Sequence, residues 1–114
     1  SAGYSVTKAA AVSFAEWLKI TYGNKGIGVS CLCPQAVRTA MTAQGAGVAG
    51  VDGMIEPEVA AADVLDAIEK ERFLVTPHAE VLEYVSRKGN DRDRWISGMQ
   101  RLQERYEDWK PGDD

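Results

Sequence analysis

The side chains of this sequence best suited to chemistry are a phenol and an ammonium, Tyr4 and Lys8, in the string Tyr4-Ser5-Val6-Thr7-Lys8. On a helix this spacing sets both on one face about one turn apart. A cation beside a phenol favours the phenolate, so the pair can act as a general acid/base. By itself the spacing reads rather as a core-facing tyrosine next to a solvated lysine. His78 is the sole histidine. No carboxylate or serine accompanies it in a motif, so it is expected at a helix start or on the surface rather than in catalysis. Cys31 and Cys33 fall on the same face of an extended run and are expected in the core, without a disulfide or a metal. No metal site is expected. Trp17, Trp95 and Trp109 read as packing or interface groups.

The elements that position these residues follow from pattern. Residues 4–22 are rich in alanine with apolar residues at helical spacing, and Gly23, Asn24 and Gly26 supply the stop. The run Ile27 to Cys33 is nearly all apolar, as a strand of a parallel sheet covered on both faces should be, and Pro34 ends it. Residues 35–55 carry glycines among small side chains without a period, which predicts a loop with at most short helical turns. Helical character returns at Glu56-Pro57-Glu58, where proline and acidic residues suit a helix N-terminus. Arg72 to Thr76 reads as a second buried strand ended by Pro77. Two amphipathic helices, Ala79 to Arg87 and Asp93 to Tyr106, are expected to flank a turn at Gly89-Asn90-Asp91. The terminal Asp113 and Asp114 are expected to fray. This order amounts to half of a layered α/β fold.

Composition narrows the function classes. The 114 residues are 45% hydrophobic and 26% charged, as in an ordinary soluble domain. A net charge of -4 without a Lys/Arg cluster argues against a nucleic-acid surface. No apolar run reaches the roughly 20 residues that span a bilayer, so no membrane partner is expected. Two cysteines read as buried thiols fit a reducing, cytoplasmic setting.

Context then gives the Tyr4 and Lys8 pair more weight. The string Tyr4 to Ala10, a long helix, the glycine-bounded run Gly26-Ile27-Gly28-Val29-Ser30, and Pro34-Gln35-Ala36-Val37-Arg38-Thr39 follow one another in an order that resembles the second half of the short-chain dehydrogenases/reductases. The resemblance extends to about Thr76. It implies the C-terminal part of a Rossmann-type doubly wound parallel sheet with extra C-terminal helices, a partial domain over residues 1–114. It also implies an NAD- or NADP-dependent oxidoreductase that interconverts an alcohol and a carbonyl.

Carried over, Tyr4 passes the substrate proton and Lys8 holds the nicotinamide ribose. The segment of Pro34, Val37 and Thr39 lies against the nicotinamide end of the cofactor, and Met41 to Met54 forms the substrate loop. Gln35 stands where the family usually has glycine, which removes easy access to a positive φ. The family's glycine fingerprint, its Asn and its catalytic Ser all precede the Tyr, and Ser1 is too near Tyr4 to be that serine. The piece alone is therefore expected to be inactive and to leave a sheet edge uncovered. The residue that separates NAD from NADP also precedes the Tyr. A homo-oligomer, dimer or tetramer, is expected by resemblance. Two alternatives stay open: a non-catalytic oligomerisation module using the first helix and residues 56–76, and a small-molecule binding module of the same fold.

Overall fold

The alanine-rich start forms a long helix, α1 (Ala2–Tyr22), in a computed structural model that describes residues 1–110 and 112. The expectation for Asp113 and Asp114 lies outside the described residues. Ser1 caps α1, its hydroxyl accepting the Tyr4 N–H at 3.2 Å, which satisfies one of the donors a helix start leaves over. Beyond Tyr22 a short 3-10 turn, Gly23–Lys25, runs into Gly26 at φ 86, a left-handed backbone that glycine adopts without strain.

The chain divides into two units, Ser1–Leu32 with Ala62–Val75, and Cys33–Ala61 with the chain from Thr76 onward. In the first unit, β1 (Cys31–Leu32) pairs in parallel with β2 (Leu74–Val75), Cys31 opposite Leu74 and Leu32 opposite Val75. The Cys31 N–H extends the ladder to the Phe73 carbonyl at 2.7 Å, and the Ser30 hydroxyl donates to the Arg72 carbonyl at 2.8 Å. Val75 and Ala67 are fully buried here, Ala67 from the later turns of α2 (Pro57–Glu69). Lys19 of α1 sets its ammonium 5.7 Å from the centre of the Phe73 ring. After α2, Glu71 takes a left-handed φ of 55 and turns the chain toward β2. Arg72 reaches back to Asp63 and Asp66 at 3.4 and 3.3 Å, and Lys70 pairs with Asp66 at 3.0 Å.

The Rossmann-type doubly wound sheet anticipated from sequence is not what the chain forms. Helix predominates, and the sheet among the described residues is this one parallel pair of two-residue strands. The cause is local. The second apolar run is clipped between the left-handed Glu71 and Pro77, so it offers β1 too few backbone groups, and Ile27 to Ser30 stays out of any ladder. Cys31 and Cys33 are half-buried.

In the second unit the segment after Pro34 is held by a parallel bridge between Val37 and Ile55. There the Arg38 N–H donates to the Ile55 carbonyl at 2.9 Å and the Ile55 N–H to Ala36 at 3.2 Å. Short 3-10 turns at Ala40–Thr42 and Gly47–Gly50 occupy the loop, as its composition predicts. Gly47 is buried with φ 56, and a β-carbon on it would stand 3.3 Å from the Trp109 ring. Trp109 is thus a packing group.

Two helices follow, α3 (Glu80–Asn90) and α4 (Arg92–Arg105). The turn expected at residues 89–91 shrinks to Asp91, because Gly89 and Asn90 remain helical. The Asp91 N–H closes α3 on the Arg87 carbonyl at 3.1 Å, while its carboxylate accepts the Arg94 N–H at 3.0 Å and caps α4. Ala36, Ala60, Val81 and His78 are buried in this unit together with Gly47.

Candidate functional site

Tyr4 and Lys8 stand in the first two turns of α1, a stretch with no buried side chain. The Lys8 ammonium lies 5.6 Å from the centre of the Tyr4 ring, within the range of a cation–π contact. Tyr4 is 55% exposed, so its phenol is open to a small molecule while a cation sits beside the ring. Between them the Thr7 hydroxyl turns back to the Gly3 and Tyr4 carbonyls at 2.9 and 3.0 Å, which ties down the turn that carries the pair.

The residues expected to meet the nicotinamide and the substrate, Pro34 to Met54, and the sole histidine, His78, belong to the second unit. Pro34 is exposed and ends the strand segment. At Gln35 no left-handed backbone is needed, since among the described residues Glu71 is the non-glycine residue with positive φ. The Gln35 N–H instead donates to His78 Nδ1 at 3.0 Å. Because Nδ1 accepts, the ring proton is assigned to Nε2, which stands 3.2 Å from the Gly53 carbonyl and donates to it.

His78 is therefore a buried tie, 3% exposed, between both ends of the loop. This corrects the surface placement, while the helix-start placement holds: the His78 carbonyl accepts the Val81 N–H at 3.1 Å where α3 opens. Its partners are 43 and 25 residues away in sequence, so no local pattern around Pro77-His78 announces them.

Val37 and Thr39 lie on the bridge segment. The Val37 carbonyl accepts the Thr42 hydroxyl at 2.6 Å. Its N–H meets no acceptor among the described residues, since the bridge uses the Arg38 and Ile55 N–H groups. Thr39 forms a reciprocal capping box with Thr42, whose side chain accepts the Thr39 N–H at 3.0 Å. The Thr39 oxygen accepts in that box, which leaves its O–H to donate. Arg38 fastens the segment to Glu56 at 2.7 Å. Met41 is 83% exposed and Met54 half-buried, so the two ends of the expected substrate loop differ in their freedom.

A further contact was not signalled by sequence. The Tyr84 hydroxyl of α3 donates to Asp52 Oδ1 at 2.7 Å, across 32 residues. Asp52 Oδ2 is buried with no hydrogen-bond partner among the described residues. The hydrogen bond to Asp52 raises the Tyr84 pKa, helped by burial and by the charge of that carboxylate. No group of three or more His, Cys, Asp or Glu among the described residues could hold a metal ion. No helix among them is long and apolar enough to cross a membrane.

The chain is similar to a protein named Oxidoreductase UcpA from Escherichia coli (strain K12), with 31% identity over 99 residues that make up 87% of this chain. The chain spans 36% of that relative's length. No family model and no solved structure matches it.

Proposed function

We propose that the protein carrying this chain is an NAD(P)-dependent oxidoreductase of the short-chain dehydrogenase/reductase type, which interconverts an alcohol and a carbonyl. The observation that carries the reading is the Tyr4 and Lys8 pair, with the ammonium 5.6 Å from the phenol ring on an open helix face. The similarity to a protein named as an oxidoreductase supports it.

A nicotinamide, when bound, supplies or takes up the hydride. This chain's share is the proton. In the reducing direction the Tyr4 hydroxyl gives its proton to the substrate oxygen as the carbonyl carbon becomes an alcohol carbon. The phenolate left behind is stabilised by the Lys8 ammonium, and oxidation runs the same transfer backward. Lys8 would also hold the ribose of a bound cofactor by donating to it. The second unit fits the carboxamide end of a nicotinamide in its donors: the Val37 N–H has no acceptor among the described residues and the Thr39 O–H is left to donate. Met41 to Met54 flanks the substrate.

The test uses the whole protein, a panel of alcohols and carbonyls, and both NAD and NADP. Tyr4→Phe keeps the ring and removes the proton. It is expected to lower kcat by about 10²–10⁴-fold, the usual worth of a positioned acid/base. Undiminished turnover in Tyr4→Phe would remove Tyr4 from the reaction.

One observation favours a second reading, a module whose task is assembly. Phe14, Trp17 and Ile20 follow one another along α1 at 60%, 51% and 80% exposure, with the Phe14 and Trp17 rings stacked at 6.1 Å. Adjacent exposed aromatics of this kind mark interaction surfaces. Under this reading the protein forms a dimer or tetramer, and a monodisperse monomer in sedimentation would rule it out.

A further inference from the structure

A groove of ≈ 790 Å³ runs through the second unit, walled by the loop around Val48 and Val51 and by helices α3 and α4. That volume lies in the range of small-molecule sites, roughly 300–1,000 Å³. Its chemistry is two-sided. Along α4 the residues Trp95, Met99 and Leu102 recur at helical spacing and give one apolar stripe. Arg94, Arg101 and Arg105 recur at intervals of seven and four residues, which places them on a second, adjacent stripe lining the same groove.

The three guanidiniums are the unusual part. Arg87 also lines the groove but is paired with Glu83, and Lys88 is committed to the Trp95 ring at 4.7 Å. The carboxylate that lines the groove, Asp91, accepts the Arg94 backbone N–H as the helix cap. Arg94, Arg101 and Arg105 themselves form no salt bridge among the described residues. Three unpaired cations beside an apolar wall are complementary to an anion on an apolar body, and guanidinium forks suit the paired oxygens of carboxylate and phosphate.

A second observation bears on the same place. Gly98 sits inside α4, where glycine disfavours helix, and it lies between the two stripes. The nearest group to a β-carbon built there is the Arg101 guanidinium at 3.8 Å, so nothing in the packing of the unit demands a glycine. Its small size leaves the groove open beside Arg101.

We infer that this groove binds a small amphiphilic anion, a carboxylate or phosphate monoester carried on an apolar chain, with Arg101 and Arg105, one helical turn apart, holding the head, and Trp95, Met99 and Leu102 the body. This binding claim does not depend on the reaction at Tyr4, and its failure leaves that reading standing. The test is calorimetric titration of the whole protein with decanoate, decyl phosphate, decanol and inorganic phosphate.

Decanoate or decyl phosphate is expected to bind saturably, with decanol and inorganic phosphate each at least tenfold weaker. The better of the two anions identifies the head group. Arg101→Gln, an exposed change, is expected to weaken that anion at least tenfold without altering the melting temperature. Gly98→Leu is expected to abolish binding while α4, relieved of its glycine, melts no lower than in the parent. Equal binding of decanol, the absence of saturable binding by either anion, or anion binding indifferent to both substitutions would overturn the inference.

Discussion

At the scale of single residues, the loop that follows Pro34 is held by side chains that reach it from outside. His78 joins the Gln35 N–H and the Gly53 carbonyl through its two ring nitrogens, and Tyr84 joins Asp52. The His78 ring is itself buried, whereas its partners Gln35 and Gly53 are half-buried and exposed, so its removal costs the two bonds rather than a burial penalty on the partners. His78→Ala is expected to lower unfolding stability by about 1–3 kcal/mol, two hydrogen bonds at roughly 0.5–1.5 kcal/mol each. Urea denaturation measures it. A loss under about 0.5 kcal/mol, the range of an ordinary surface change, would mean that the tie does not hold the loop. The same anchors show where sequence reading stops: Tyr4 and Lys8 are legible because their spacing is helical, whereas the partners of His78 are set by the fold.

At the scale of elements, helices were legible, and so were the places and parallel sense of the two strands, but not their shortness. Alanine content, Pro57 and the closing glycines are local signals, and α1, α2 and α4 begin and end within a few residues of where those signals place them. An apolar run such as Ile27 to Cys33 becomes strand only to the extent that a partner lies beside it, and here the partner supplies two residues. The α3 to α4 junction is an intermediate case. Gly89 and Asn90 carry turn propensity, yet one extended residue suffices, and Asp91 serves both helices with backbone and side chain. Asp91→Ala should therefore cost about 1 kcal/mol through the lost cap of α4, while Asp91→Asn, which keeps an acceptor, should cost less. Thermal melts of the two variants decide this. Equal melting of parent and Asp91→Ala would show that α4 does not depend on its cap.

At the scale of the molecule, the two units carry titrating groups of opposite sense, so acid and alkali should loosen different parts of the chain. In the first unit the hydrogen bond from Lys70 holds Asp66 below the ordinary carboxylate range, with burial opposing and Lys70 and Arg72 charge assisting. A carboxyl lowered by folding stabilises the fold above its unfolded pKa, and that contribution fades as pH falls through the folded value. The acid limb thus lies below about pH 4. In the second unit Tyr84 is raised by its hydrogen bond to Asp52. Folding then favours the neutral phenol, so the contribution is complete below the unfolded pKa of about 10 and is lost as pH rises through the folded value. Hydrogen exchange read separately over residues 62–75 and 76–90 should show protection falling first in the former in acid and first in the latter in alkali. Asp66→Asn should flatten the acid response alone, and Tyr84→Phe the alkaline one. The Asp66 side chain is 42% exposed and solvent screens its ion pairs, so its share is small. Loss of protection in both segments together at either extreme would mean that the units unfold as one body, and that these two groups do not set its pH limits.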